Sequence, residues 1–204
     1  MDLTSEIIFR AKSLFIRCGV KSVSMDDLDK GLGISKKTLY EQIPSKATLI
    51  EQMIHQHIKE EKKTLVQIKA QAQNAVEEMI LIARYVTKMM QQVSPNIVFE
   101  IKKYYWESWK KLEKLNNEHV FHVIQQNLKN GIEQGYYRPD LPVEIIARHY
   151  VTLTSSIVDQ EIFAANIFSM DRIFKETMLY HLRGITTPAG LELCLKHFSQ
   201  LDNQ

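Results

Sequence analysis

Val23-Ser24-Met25-Asp26-Asp27-Leu28, Ile34-Ser35-Lys36-Lys37-Thr38-Leu39 and Pro44-Ser45-Lys46-Ala47-Thr48-Leu49 carry one six-residue pattern three times in succession. Each reads as a helix start. A serine stands at the N-cap, where its hydroxyl can accept from an N–H one turn in. The residue before the serine and the leucine four after it can staple the chain across that turn. The serines fall at intervals of 11 and 10 residues, which leaves room only for short helices joined by tight turns, the makings of a helix-turn-helix. The opening charges separate the three. Asp26 and Asp27 suit the positive end of a helix dipole, whereas Lys36, Lys37 and Lys46 oppose it. A bound anion reverses that opposition, because ammonium groups, free N–H groups and dipole then converge on it. Phosphate is the anion this pattern points to.

The chain of 204 residues is long enough for one large core or two small ones. It is 45% hydrophobic and 25% charged, ordinary values for a soluble globular protein. The net charge of +2 offers no global surplus to attract nucleic acid, so any such affinity must come from a local patch. Glycine and proline are few, and apolar residues recur at helical spacing nearly throughout, so an all-α fold is expected. Cys18 and Cys194 lie far apart among apolar residues and read as buried free thiols. The polar opening Met1-Asp2-Leu3-Thr4-Ser5-Glu6 has no signal-peptide character, and no apolar run could span a bilayer. A cytoplasmic protein is expected.

The first helix is expected over Thr4–Cys18, stopped at Gly19, and the second over Met25–Leu32, stopped at Gly33. The third spans Lys36–Ile43, ahead of Pro44. Ile8, Phe15, Val23, Leu28, Ile34, Leu39 and Ile43 would build a three-helix core, with the polar positions of the third helix projecting outward. A long helix from Lys46 to about residue 68 connects this domain, residues 1–46, to a helical domain over 47–204. Further helices are read over Asn74–Val93, Asn96–Trp106 (opened by a cap at Ser94), onward to about Gln134, Val143–Ala164, Met170–Arg183 and Ala189–Phe198. Gly135–Pro142 is the clearest loop.

The run from Ile8 to Leu49 resembles the DNA-binding domain of TetR/AcrR-type transcriptional regulators. The likeness lies in Ala11, Leu14-Phe15, Gly19, Val23-Ser24, Leu28, Gly33-Ile34-Ser35, Thr38-Leu39-Tyr40, Ser45-Lys46 and Leu49, without gaps. Asp29, Leu32, Lys37, Gln42 and Ile43 depart from the usual pattern, and Lys37 adds charge where glycine is frequent. The resemblance implies that the third helix enters the major groove. Lys36, Lys37 and Thr38 would meet base edges and phosphates, Tyr40 would bond a phosphate, and Ser24 and Lys46 would clamp phosphates on either side. It also implies a homodimer on palindromic operator DNA, with half-sites one helical turn apart or a multiple of it.

The rest of the chain resembles the family's effector-binding and dimerisation region in layout. Ile146, Tyr150, Leu153, Ile157, Phe174, Met178 and Leu182, together with Ile145 and Ile173, offer an apolar surface for an intersubunit helical bundle. Met79, Tyr85, Met89, Phe99, Tyr104, Trp109, Phe121 and Gln125 are candidates to line a cavity for a small, moderately hydrophobic effector. His55 with His57 and His119 with His122 lack the partners of a metal set. No cofactor, metal or catalytic constellation is expected. The expected function is a ligand-responsive regulator, a repressor released by its effector. The alternative is a ligand-independent dimeric DNA-binding or protein-interaction scaffold.

Overall fold

The structure, a computed structural model, describes residues 2–93, 95–159, 161–164 and 166–198. Among these the regular elements are ten α-helices: α1 Leu3–Cys18, α2 Met25–Leu32, α3 Lys36–Gln42, α4 Lys46–Gln71, α5 Ala75–Gln92, α6 Pro95–Tyr104, α7 Trp106–Glu133, α8 Val143–Ser156, α9 Met170–Ile185 and α10 Pro188–Phe198. The all-α expectation therefore holds. No helix among the described residues is long and apolar enough to cross a membrane. The chain divides into two compact units, Met1–Glu61 with Gln92–Leu115, and Lys62–Gln91 with Asn116–Gln204. This division does not coincide with a boundary at residue 46, and the expected cap at Ser94 lies outside the described residues.

In the first unit, Ile7, Ala11, Phe15, Leu28, Leu39, Ile43, Leu49 and Ile50 are buried in one apolar cluster. Of the core read from sequence, Ile34 packs at its margin and the other members lie within it. The third staple differs from expectation: Pro44 is exposed, and Ile43 enters the core instead. Proline's fixed ring sits outside the turn while the extended backbone of Ile43 (φ −136°) aims its side chain inward. Ile97 of α6 belongs to the same cluster, with Ile101, Tyr105 and Leu112 packed against it. Gly19, at φ 82°, ends α1 with its N–H on Phe15 O. Val20 then fills the core, leaving Cys18 exposed rather than buried as expected, because the chain turns away from the helix one residue after it.

In the second unit, α5 opens on Asn74, whose Oδ1 accepts from Glu77 N at 2.9 Å. Tyr137, expected in a loop, is a core residue 1% exposed. Its hydroxyl donates to Ala75 O and to Asn127 Oδ1, both at 3.0 Å. Asn127 Nδ2 in turn donates to Ala75 O and to Glu78 Oε2. An isolated antiparallel bridge pairs Tyr137 with Thr186. α8 stops at Ser156, short of the expected Ala164. Thr154 Oγ1 takes the Tyr150 and Val151 carbonyls and Ser156 Oγ takes that of Leu153, so hydroxyls compete with the helix's own N–H groups. Asp159 then accepts from Glu161 N and sets a separate turn.

Candidate nucleic-acid interface

All three serines cap as their sequence pattern requires. Ser24 Oγ accepts from Asp27 N at 3.1 Å, Ser35 Oγ from Thr38 N at 3.1 Å, and Ser45 Oγ from Thr48 N at 3.1 Å. The third helical residue distinguishes them. In α2 it is Asp27, whose Oδ2 accepts from Ser24 N at 2.8 Å and from Ser24 Oγ at 2.6 Å, closing a capping box. These bonds, the hydroxyl's foremost, hold the Asp27 carboxyl below its ordinary range. In α3 and α4 the equivalent residue is a threonine, and its hydroxyl pairs with the serine's at 2.8 and 2.9 Å. A carboxylate neutralises the start of α2. The starts of α3 and α4 have no acid in their first turns and keep the positive end of the dipole for another anion.

Gly33, in the left-handed region at φ 66° and ψ 27°, separates α2 from α3. Its N–H and that of Ile34 both reach Asp29 O, the closure that ends one helix and lets the cap of the next, Ser35, follow two residues after Gly33. Thr4 Oγ1 donates to Gln42 Oε1 at 2.8 Å and ties the end of α3 to the start of α1. Leu39 anchors α3 in the core with no exposure, while the adjacent Tyr40 is 39% exposed.

The α3 site residues come together on the outer face of this helix. Lys37 is the most open, its side chain 86% exposed, with Nζ 3.9 Å from Glu41 Oε1. Lys36 Nζ lies 5.9 Å from the Tyr40 ring centroid and 2.7 Å from Asp26 Oδ1. The hydrogen bond to Asp26, then its charge, raises the Lys36 pKa. The lysine read as misplaced on the dipole is thus already offset by an acid from α2. Sequence reasoning took the two helix starts separately and missed this pair. Lys46 is half-buried with Nζ 5.8 Å from the Phe15 ring. Burial pushes its pKa down, against the opposing charges of Glu100 and Asp27.

The remaining candidates divide between the units. Phe99, Tyr104 and Trp109 are in the first, where Phe99 and Tyr104 are 47% exposed and Trp109 Nε1 is buried without a hydrogen bond. Met79, Tyr85, Met89, Phe121 and Gln125 are in the second, with Met79 fully buried and the other four half-buried. In α8, its C-cap Ile157 and α9, the side chains of Tyr150, Ile157, Phe174, Met178 and Leu182 are buried within the chain itself, Ile146 is half-buried, and Leu153 is exposed. Arg84 Nε, His119 Nε2 and His181 Nε2 of the same unit are buried without a partner in the protein.

Three helices, the second and third of them short and the third presenting lysines and a tyrosine at an end whose own first turn has no acid, define a helix-turn-helix DNA-binding protein. Residues 7–53 match the family described as bacterial regulatory proteins, tetR family. An uncharacterized HTH-type transcriptional regulator of Bacillus subtilis, YvaF, is 25% identical over 166 residues, covering 81% of this chain and 86% of the relative. A TetR-family regulator from Agrobacterium tumefaciens superposes with a TM-score of 0.71 at 17% identity, covering 90% of this chain and 97% of that one. The fatty acid degradation regulator FadR from Bacillus halodurans gives 0.67 at 13% identity, with 88% and 94% covered. Its amino-terminal match and its all-helical fold make the chain similar to transcriptional regulators of the TetR family.

Proposed function

We propose that this regulator binds palindromic operator DNA as a homodimer and represses until a small, moderately hydrophobic effector releases it. The observation that carries the reading is the outward face of α3. Lys36, Lys37 and Tyr40 project from a helix that Leu39 fixes in the core and whose own first turn has no acid. Thr38 sits at the same end, and Ser24 and Lys46 mark the flanking helix starts as phosphate contacts. The dimer face is assigned to α8 and α9. Ile145 (53% exposed), Leu153 and Tyr180 (74% exposed) remain open there above the buried Tyr150, Ile157, Phe174, Met178 and Leu182. Ile146 joins them at the margin.

The effector site is assigned to the second unit, on Met79, Tyr85, Met89, Phe121 and Gln125. The unpartnered Arg84 Nε there would favour an effector with an oxygen acceptor on an apolar body. The resemblance to a fatty acid degradation regulator is compatible with that chemistry. The transmission element is α4, one unbroken helix from Lys46 to Gln71. An effector that binds one tilt of α4 more tightly than another shifts the population away from the DNA-competent spacing.

The experiment begins with duplexes selected by the full chain from a random library. Footprinting should show two symmetric half-sites about one helical turn apart or a multiple of it. A thermal-shift screen of fatty acids and aromatic acids should then find a compound that both stabilises the protein and releases the duplex. A lone half-site bound by a monomer would refute the dimer reading. Stabilising compounds that never release DNA would favour a ligand-independent scaffold.

A further inference from the structure

The first unit carries a second basic surface that the recognition helix does not use. Phe99, Tyr104 and Trp106 are 47%, 47% and 46% exposed, unusual for large aromatic rings so close in sequence. Each has a lysine ammonium over it. Lys103 Nζ lies 5.4 Å from the Phe99 centroid and 5.5 Å from that of Tyr104. Lys21 Nζ lies 5.6 Å from the Tyr104 centroid, and Lys110 Nζ 5.0 Å from that of Trp106. These separations fall within the range of cation–π attraction. The rings hold flexible ammonium groups in place without neutralising them, unlike Lys111, whose ammonium is paired with Glu51.

The position of this surface is fixed by Glu100. Its Oε2 accepts from Lys21 N at 2.8 Å and approaches Gly19 so closely that a Cβ there would sit 3.4 Å away. The C-terminal end of α6 is thereby fastened to the turn that leads into α2. Lys21 is three residues from the Ser24 cap, a reach of roughly 10 Å at most. Projected on the helix axis, where one strand carries a phosphate about every 3.4 Å, that length reaches phosphates adjacent to the one at the Ser24 cap. We infer that Lys21, Lys103 and Lys110, held on Tyr104, Phe99 and Trp106, contact the DNA backbone flanking the operator, beyond the phosphates met at the starts of α2, α3 and α4.

This inference rests on the helix-turn-helix reading above. The acids nearby are Glu100, whose Oε2 is taken by the Lys21 N–H, and Glu107 and Glu113 on α7 beside Lys110 and Lys114; with Lys21 and Lys103 added, the lysines outnumber them. A continuous phosphate backbone already docked on the same unit is the anionic partner this placement favours over a lipid surface.

The test uses the full chain and a duplex selected by it from a random library. That duplex is prepared trimmed to its recognition core, and again with about one helical turn, roughly 10 bp, of arbitrary sequence added on each side. Affinity of the unaltered protein should rise when the flanks are present. The slope of log K against log salt should steepen by roughly 0.9 for each phosphate gained. The K21Q/K103Q/K110Q variant should gain neither affinity nor slope from the flanks, whereas K21R/K103R/K110R should gain both. Equal flank effects in the unaltered protein and the glutamine variant would overturn the inference. So would flank-independent DNA binding together with binding to phosphatidylglycerol vesicles at the same salt. If no duplex is enriched at all, the helix-turn-helix reading falls as well. If one is enriched and the flanks change nothing, this inference alone falls.

Discussion

Lys36 Nζ at the start of α3 lies 2.7 Å from Asp26 Oδ1 at the start of α2. Two helix starts of opposite charge character are thus joined across the turn at Gly33. The pair offsets the unfavourable position of Lys36 on its own dipole, and it makes Asp26 a competitor for any phosphate that approaches this lysine. Both side chains are more than half exposed, so the pair is weak and separable by mutation. Asp26→Asn should bind duplex DNA about two- to fivefold more tightly at low salt, with the advantage shrinking as salt rises. Fluorescence anisotropy across a salt series measures this. Unchanged affinity would mean that Asp26 does not compete.

Ser35 allows the cap and the anion site to be separated. Ser35→Ala removes the acceptor for Thr38 N and should destabilise the protein by about 1 kcal/mol. Ser35→Asp keeps a capping oxygen and should retain stability. It also places a carboxylate at the end of α3 assigned to phosphate, and should weaken DNA binding at least about tenfold by like-charge repulsion. Denaturant titration and binding of the same two variants give the answer. Tight DNA binding by Ser35→Asp would remove phosphate from this helix end.

Gly131 lies within α7, where alanine would ordinarily stabilise by up to about 1 kcal/mol. A Cβ built there would stand 2.1 Å from Tyr137 Cδ2. The ring is locked by its bonds to Ala75 O and Asn127 Oδ1 and has no room to retreat. Overpacking therefore wins, and Gly131→Ala should destabilise by about 1–3 kcal/mol. Pairing it with Tyr137→Ala should cost less than the sum of the two single changes. Additive costs would show that the glycine and the ring do not meet.

His181 is buried against the Tyr150 ring, with centroids 5.0 Å apart, and burial lowers its imidazole pKa to about 4. An unfolded histidine titrates near about 6.5. Above that value both states are neutral and stability is complete. As pH falls from about 6.5 to about 4, the unfolded chain takes up a proton that the folded chain refuses, and stability drops by about 1.4 kcal/mol per pH unit. Below about 4 both states are protonated and this loss stops growing. Urea denaturation at about pH 7 and about pH 5 should show a smaller acid loss, by about 2 kcal/mol, in His181→Phe than in the unaltered protein. Equal losses would place the acid sensitivity elsewhere.

The features legible in the sequence are those decided within one helical turn. A serine, the residue three beyond it and the leucine four beyond it fixed where α2, α3 and α4 begin, and Leu28, Leu39 and Leu49 are all without exposure. The exposure of both lysines on α3 follows from the same register. Features that depend on a distant partner were not legible. Nothing near Tyr137 announces its bond to Ala75, 62 residues away, and nothing near Lys21 announces Glu100, 79 residues away. The end of α8 was misplaced because apolar spacing continues through Ile162 and Phe163 after hydroxyls have already taken the last carbonyls. Cys18 is exposed although helical spacing puts it with Ala11 and Phe15, because at the last helical position the core is filled by Val20 beyond the turn.

If α3 is the helix that reads DNA, its exposed face must set the salt dependence of duplex binding. Lys36→Gln, Lys37→Gln and Tyr40→Phe combined remove two ammonium groups and one phenolic hydroxyl from the exposed face while leaving Leu39 and the Ser35 cap in place. Binding to a selected duplex should weaken, and the slope of log K against log salt should become shallower by about 2, roughly 0.9 for each lysine lost. Unchanged affinity and slope in a variant that remains folded would contradict that reading of α3.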